Sequence, residues 1–214
     1  MCHNIPMADD NLVYLLDGKI YINLTNKCTN ACIFCIRSLK DDVCGKNLWL
    51  TDENVSSNDV IDQLKPLLKD EKEVIFCGYG EPTLKLDVLK EVAKFVKDNY
   101  KDVKIRLNTN GHANFIYKRD ITPELVGLID EISVSLNSPT EEQYKELTQP
   151  NLACETPLEE VKDFIKKSVE AGIPTVASVV KGYKNFEIDI EKCEKITKDL
   201  GATFRVREWL DSGY

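Results

Sequence analysis

Three cysteines lie in one ten-residue stretch, "NKCTNACIFC", where Cys28, Cys32 and Cys35 follow a CxxxCxxC spacing. A closed structural zinc site takes four ligands, and a disulfide framework needs paired cysteines in an oxidising compartment. Three clustered thiolates instead fit a cubane [4Fe-4S] cluster whose fourth iron stays open, as catalytic metal sites keep a position for substrate. The other cysteines are scattered, at Cys2, Cys44, Cys77, Cys154 and Cys193.

Cys44 leaves an alternative open, because it could act as a fourth ligand. With it, the stretch would form a four-cysteine zinc site or a closed cluster of the ferredoxin kind. Either would make the chain a structural or electron-transfer module.

Composition and charge exclude several classes of function. The 214 residues are 43% hydrophobic, which is enough for the core of a single domain. A net charge of -8 argues against sequence-independent binding of nucleic acid. No apolar run reaches the roughly 18 residues of a membrane span, and the first residues lack the pattern of a secretory signal. The sequence therefore predicts a cytoplasmic protein with no nucleic-acid or membrane partner.

The order of predicted elements indicates one α/β domain over residues 1–214. Residues 12–25 alternate around Asp17 and Gly18, a pair typical of a type I′ turn, and predict a β-hairpin leading into a cluster loop at 26–38. Beyond that loop strands and helices alternate, as in a parallel sheet. Strands are predicted near 73–79, 102–108, 131–137, 174–180 and 203–209, and helices near 57–69, 85–99, 123–130, 140–148, 157–171 and 189–200.

Four strands have one apolar and one polar face. In "VKIRLN" the residues Val103, Ile105 and Leu107 oppose Lys104, Arg106 and Asn108. A parallel sheet covered by helices on both faces has nearly continuous apolar strands. The polar face therefore predicts a sheet curled into a partial (β/α)6 barrel of the TIM type, with the polar row lining a lumen. An antiparallel sheet with one solvated face is the alternative.

Motifs follow the predicted strands in a recognisable order. After the cysteine stretch come "FCGYGEPTL", then "NTNG", then "ISVSLN". Together these segments resemble the radical SAM superfamily from about residue 18 to the end of the chain. More closely, "YINLTNKCTNACIFC", "NLWL" and "FCGYGEPTL" are similar to the small TatD-associated radical SAM proteins.

The resemblance implies a reaction and its cofactors. In that superfamily the open iron of a [4Fe-4S] cluster is chelated by S-adenosylmethionine (SAM), and an electron from the cluster cleaves the sulfonium bond. The product, a 5′-deoxyadenosyl radical, abstracts hydrogen from a substrate. A flavodoxin- or ferredoxin-like partner would supply the electron.

The resemblance also implies roles for residues, carried over by motif position. Cys28, Cys32 and Cys35 would be the cluster ligands. Phe34 would pack near the adenine, and Ser135 and Asn137 would face the ribose with Asn108 nearby. The backbone of the segment formed by Gly78, Gly80, Glu81 and Pro82 would receive the methionine amino group, and its glycines would permit close approach. All lie where β/α barrels concentrate their chemistry, at the carboxyl ends of strands.

Four cations on two strands predict an anionic ligand independently of the resemblance. Lys104, Arg106, Arg205 and Arg207 are expected to project into one lumen, where they would repel one another without an anion. The cofactor's carboxylate meets part of this demand, and a carboxylate or phosphate on the substrate would meet the rest. Ion pairs with internal Asp or Glu are the alternative.

Further expectations concern His112, Cys193 and the cover of the lumen. His112 follows a turn and is expected in an exposed loop, while Cys193 is expected in the core. The sequence ends soon after the sixth predicted strand, so something else is expected to cover the lumen. That favours a small polar substrate held near the cysteine loop, or a protein partner that inserts a segment, as in activase-like enzymes.

Overall fold

The computed structural model describes residues 10–38, 40, 42–43 and 45–209, and its centre is a seven-stranded sheet. The strands are β1 (Val13–Leu16), β2 (Lys19–Ile22), β3 (Asp42–Val43), β4 (Lys46–Asn47), β5 (Glu73–Phe76), β6 (Lys104–Thr109), β7 (Glu131–Ser135), β8 (Thr175–Lys181) and β9 (Thr203–Glu208). The sheet order is β1-β2-β5-β6-β7-β8-β9, while β3 and β4 form a separate small hairpin. Every neighbouring pair from β2 onward is parallel.

Helices connect the parallel strands. They are α1 (Ser57–Leu64), α2 (Leu86–Asn99), α3 (Ala113–Tyr117), α4 (Glu141–Thr148), α5 (Pro157–Glu170) and α6 (Ile190–Asp199). The helix predicted at 123–130 is only a 3₁₀ turn, Thr122–Leu125, and the one predicted at 57–69 ends at Leu64 as an α-helix. Within the described ranges, no helix combines the length and the apolar character that a membrane crossing requires.

The predicted hairpin is confirmed. β1 and β2 pair antiparallel with Leu16 opposite Lys19, and the turn residues Asp17 and Gly18 have φ of 50° and 70°. Positive φ at both central residues defines the type I′ turn, whose twist matches that of the flanking strands. The turn therefore directs β2 into the sheet, and the chain enters the cysteine loop after β2.

As predicted, the strands have an apolar face in the core and a polar face on the opposite side. Ile105, Leu107, Ile132 and Val134 are fully buried in the main core, which also contains apolar residues of α1, α2 and α5. On the other face Arg106 and Asn108 of β6 and the alternating polar residues of β7 are half-buried. Among the described strands no ladder joins β9 to β1 or β2. The fold is thus a partial (β/α)6 barrel with its polar side chains around an open-sided lumen.

Candidate functional site

The cysteine loop opens onto a cavity of about 250 Å³, called the upper cavity below. Cys28, Cys32 and Cys35 all line it and are all half-buried. Residues at or near the carboxyl ends of β5, β6, β7, β8 and β9 complete its wall. The sequence-predicted trio therefore converges at the end of the barrel where β/α enzymes place their reacting groups.

Backbone hydrogen bonds fix the shape of the loop. The Ala31 N–H donates to Thr148 O at 3.0 Å, and the Ile33 N–H donates to Leu147 O at 3.0 Å, so the end of α4 holds one side. The Arg37 guanidinium donates to three carbonyl oxygens, of Asn26 at 3.0 Å, Asn30 at 3.2 Å and Tyr79 at 3.3 Å. A guanidinium has a fork of donors suited to several acceptors at once. Arg37 therefore ties the cysteine loop to the loop after β5.

The donors around the trio fit a sulfur-ligated iron cluster. Cys28 Sγ accepts from the Asn30 N–H at 3.4 Å and from Asn110 Nδ2 at 3.8 Å, and N–H donors to cluster sulfurs are a main means of tuning such groups. Burial raises the pKa of Cys28 to about 11 and that of Cys32 to about 12. Bare thiolates are therefore costly here, and bound iron would offset that cost.

No three His, Cys, Asp or Glu side chains in the described ranges are grouped as ligands of one metal ion. That finding concerns a mononuclear ion, whereas a [4Fe-4S] cluster binds each cysteine through a different iron atom. The possible fourth ligand, Cys44, lies outside the described residues, as does Cys2.

The two glycines of the GYGEP segment are required by packing within the protein. A Cβ on Gly78 would lie closer than 3.0 Å to Asn23 Oδ1, and one on Gly80 would lie closer than 3.0 Å to Thr25 O and Lys27 O. Real Cβ atoms essentially never show such contacts. The expected reason for these glycines, close approach of a ligand, is therefore not needed to explain them. They let the loop after β5 lie directly against the chain that leaves β2.

Glu81 is a buried junction between three loops. Its carboxylate accepts hydrogen bonds from Thr83 N and Oγ1, from Thr109 Oγ1 at 2.7 Å and from Asn110 N at 2.8 Å, while its own N–H donates to Lys27 O. Burial raises its pKa, and these donors oppose that shift. The side chain holds the loops after β2, β5 and β6 together, with Pro82 beginning the 3₁₀ turn beyond it.

The remaining predicted cofactor positions divide into two groups. Phe34, Asn108 and Ser135 line the upper cavity, and the Phe34 ring packs edge-on against Tyr183 with 6.0 Å between centroids. Asn137 does not line it. It is only 2% exposed, has a left-handed φ of 60° and leaves its Oδ1 without a hydrogen-bond partner.

The predicted cations are not equivalent. Arg106, Arg205 and Arg207 line a second cavity of about 230 Å³, the lower cavity, which shares Cys77, Asn108, Ser133 and Arg207 among its walls with the upper one. The prediction that Lys104 projects into the lumen is wrong. Lys104 is the first residue of β6, is exposed and lines neither cavity, because that end of the strand reaches solvent.

Ion pairs within the protein neutralise two of the three arginines. Arg106 Nη1 lies 3.4 Å from Glu73 Oε1 and 3.9 Å from Glu131 Oε1, and Arg205 Nη2 lies 3.7 Å from Glu131 Oε1. The alternative explanation by internal carboxylates thus holds for both. Arg207 has no carboxylate within ion-pair distance among the described residues, and its Nε is buried without a hydrogen-bond partner.

His112 is buried, not exposed as expected. Its Nδ1 lies 3.3 Å from Thr29 Oγ1 and its Nε2 lies 3.1 Å from the Tyr144 hydroxyl. Thr29 Oγ1 also accepts from Asn110 Nδ2 at 2.7 Å. The imidazole therefore helps to position the cysteine loop through its contact with Thr29. Nothing in "NTNGHANF" indicates this role. Cys193 is fully buried in the core, as expected.

The imidazole of His112 should remain neutral well below pH 6. Burial lowers its pKa to about 4, whereas an unfolded histidine titrates near 6.5. Folded-state stability from this group is therefore full above about pH 6.5 and is lost as the pH falls toward 4. An NMR titration, with the signal assigned by its loss in His112→Gln, should give a midpoint near pH 4. A midpoint near 6.5 would contradict the buried placement.

Comparisons with known proteins agree with this fold. The model of the Radical SAM superfamily matches residues 22–195. A probable GTP 3',8-cyclase of Methanococcus maripaludis is 28% identical over 152 residues, covering 71% of this chain and 45% of that protein. A probable GTP 3',8-cyclase of Methanocaldococcus jannaschii is 25% identical over 194 residues, covering 90% and 59%. The chain thus spans about half the length of these curated relatives.

Two solved structures share the fold. Streptococcus suis SuiB bound to S-adenosylmethionine superposes with a TM-score of 0.64 at 17% identity, covering 89% of this chain and 40% of that one. A radical SAM methyltransferase from Sphaerobacter thermophilus gives a TM-score of 0.58 at 14% identity, covering 92% and 68%.

A partial (β/α)6 barrel with a three-cysteine loop at the carboxyl end of its first parallel strand defines the class of enzyme. The chain belongs to the Radical SAM superfamily. It is accordingly an enzyme whose cofactors are a [4Fe-4S] cluster and SAM. The finer resemblance to TatD-associated proteins stays a prediction.

Proposed function

We propose that Cys28, Cys32 and Cys35 bind the cluster, that SAM lies beside it in the upper cavity, and that the enzyme removes hydrogen from a small polar or anionic substrate. One observation carries the proposal. The three thiols and the GYGEP segment share one cavity at the carboxyl ends of the parallel strands, and that cavity continues into a lumen lined by arginines.

The residues of the chain would bind, orient and shield the cofactors. The backbone of Gly78, Gly80, Glu81 and Pro82 would meet the methionine end of SAM, held in place by the Glu81 carboxylate. Phe34 would pack near the adenine, and Asn108 and Ser135, which line the cavity, would meet the ribose. Ile36, Tyr79 and Trp209 also line the cavity and would limit water around the cluster.

When bound, the reduced cluster supplies the electron that cleaves SAM, and the adenosyl group supplies the hydrogen acceptor. The protein's part is to hold the substrate C–H bond beside that group. A flavodoxin- or ferredoxin-like donor would deliver the electron. The relatives named as GTP 3',8-cyclases support an anionic substrate and make GTP one compound to test.

Anaerobically reconstituted protein should form 5′-deoxyadenosine when SAM and dithionite are added. The yield should rise with the right small anion, with GTP as one test compound, whereas an activase-like enzyme would respond to a protein segment instead. A closed-cluster or zinc module predicts no deoxyadenosine at all, and loss of its metal in Cys44→Ala. Chromatographic quantitation of deoxyadenosine against an unreduced control decides between these outcomes.

A further inference from the structure

The lower cavity lies where the partial barrel fails to close. Tyr14, Leu16 and Tyr21 come from β1 and β2 at one edge of the sheet, while Arg205 and Arg207 come from β9 at the other edge. All five line one cavity, so the cavity spans the open side of the barrel. Its volume is about 230 Å³. It can therefore hold a small molecule.

One part of the cavity wall has a surplus of positive charge. Arg106 and Arg205 share the carboxylates of Glu73 and Glu131, and Glu73 also pairs with Lys19 at 2.8 Å, so neither carboxylate is left for Arg207. A half-buried guanidinium without a counter-ion is costly, so an anion that bound to the unpaired Arg207 would lower that cost. The Asn108 Oδ1 and Arg207 Nε atoms are both buried without hydrogen-bond partners.

The other part of the wall is apolar and aromatic. Tyr14, Val43, Leu48 and Tyr79 form a cluster separate from the main core, each at most 6% exposed. The Tyr14 ring stacks on Tyr21 with 5.4 Å between centroids and 26° between planes. The hydroxyls of Tyr14 and Tyr79 donate to Cys77 O and Lys40 O, so they are turned to the protein backbone. What the cluster adds to the cavity is therefore mainly apolar ring and aliphatic surface.

We propose that the lower cavity binds the substrate as a small amphipathic oxyacid, with its carboxylate or phosphate on Arg207 and its apolar or aromatic body against the wall of Tyr14, Tyr21, Val43, Leu48 and Tyr79. This rests on the proposed function and specifies its substrate. Arg207 lines both cavities, so an anion bound there lies at the passage between them. The substrate's body then lies in the lower cavity and SAM in the upper one.

The proposal is tested by probe binding to the anaerobic holoenzyme with saturating SAM, so that the cofactor's own anion site is filled. The probes are 3-phenylpropionate and phenyl phosphate, with acetate and the uncharged 3-phenylpropanamide as comparisons, measured by calorimetry. We expect at least one aromatic acid to bind tenfold or more tightly than both comparisons, and the tighter of the two identifies the head group. Equal binding of acid and amide, or of acid and acetate, would overturn the proposal, as would binding of neither aromatic acid.

Variants assign the anion to Arg207. Arg207→Gln should weaken binding of the preferred probe tenfold or more while leaving SAM affinity within about twofold. The probe affinity of Arg207→Lys should fall between those of the parent protein and Arg207→Gln. Arg119→Gln is the matched control, because Arg119 pairs with Glu124 on the outer surface and lines neither cavity. If Arg207→Gln instead weakens SAM and spares the probe, Arg207 serves the cofactor and the inference is wrong.

If the variants fail to fold, the comparison of acid with amide on the parent protein still shows whether the lower cavity requires an anion. Failure of the proposed function has a different signature. In that case no deoxyadenosine forms with or without a probe, whereas failure of this inference leaves deoxyadenosine formation intact.

Discussion

Cys32→Ala is expected to abolish both iron binding and deoxyadenosine formation. Three thiolates are the fewest that leave a single iron of the cluster open, so loss of one would leave two irons without a protein ligand. Burial raises the pKa of Cys32 to about 12, so a bare thiolate is costly at this position and bound iron would offset that cost. Iron and sulfide per chain should fall to background after anaerobic reconstitution, and deoxyadenosine should fall at least a thousandfold.

Cys154→Ala is the matched control for this result. Cys154 is a half-buried cysteine in the segment between α4 and α5, and it lines neither cavity. Its loss should leave iron content and product yield within about twofold of the parent protein. A Cys32→Ala protein that keeps four irons per chain and full activity would refute the ligand assignment.

Gly80→Ala should disrupt the site by steric overlap within the protein. The added methyl would overlap the carbonyl groups of Thr25 and Lys27, which are backbone atoms and cannot rotate away. Relief requires the loop after β5 to move from the cysteine loop, which breaks the bond from Glu81 N to Lys27 O. Overpacking of this kind costs about 1–3 kcal/mol or more. Thermal unfolding should occur at lower temperature, and SAM affinity should drop at least tenfold.

Gly127→Ala separates steric overlap from backbone strain. Gly127 has a positive φ of 77°, and a Cβ there would meet nothing within 4 Å. That variant should lose about 1 kcal/mol of stability through the left-handed backbone conformation and should bind SAM normally. Equal effects of the two substitutions on SAM affinity would contradict the packing explanation for Gly80.

The curvature of the sheet could be predicted because it depends on local alternation. Ile105 and Leu107 face the helices while Arg106 and Asn108 face the lumen, and the printed sequence contains that pattern in full. The Asp17 and Gly18 turn was equally predictable from its preference for positive φ. The position of the cysteine trio followed from the strand before it.

Other features depend on contacts that the sequence does not encode locally. The burial of His112 results from Thr29 and Tyr144, which lie far away along the chain. The short helix Ala113–Tyr117 and the two-residue strands β3 and β4 are too brief to show a period. Lys104 and Arg106 alternate identically in sequence, yet only the structure reveals that the strand end bearing Lys104 reaches solvent.

We propose that three cysteines hold a cluster with one iron open to SAM. Electron paramagnetic resonance of the dithionite-reduced holoenzyme, with and without SAM, tests it most directly when paired with iron and sulfide analysis. We expect about four irons and four sulfides per chain and a reduced-cluster signal that shifts when SAM is added. Colourless, zinc-loaded protein, or a cluster signal that SAM leaves unchanged, would rule out such a cluster.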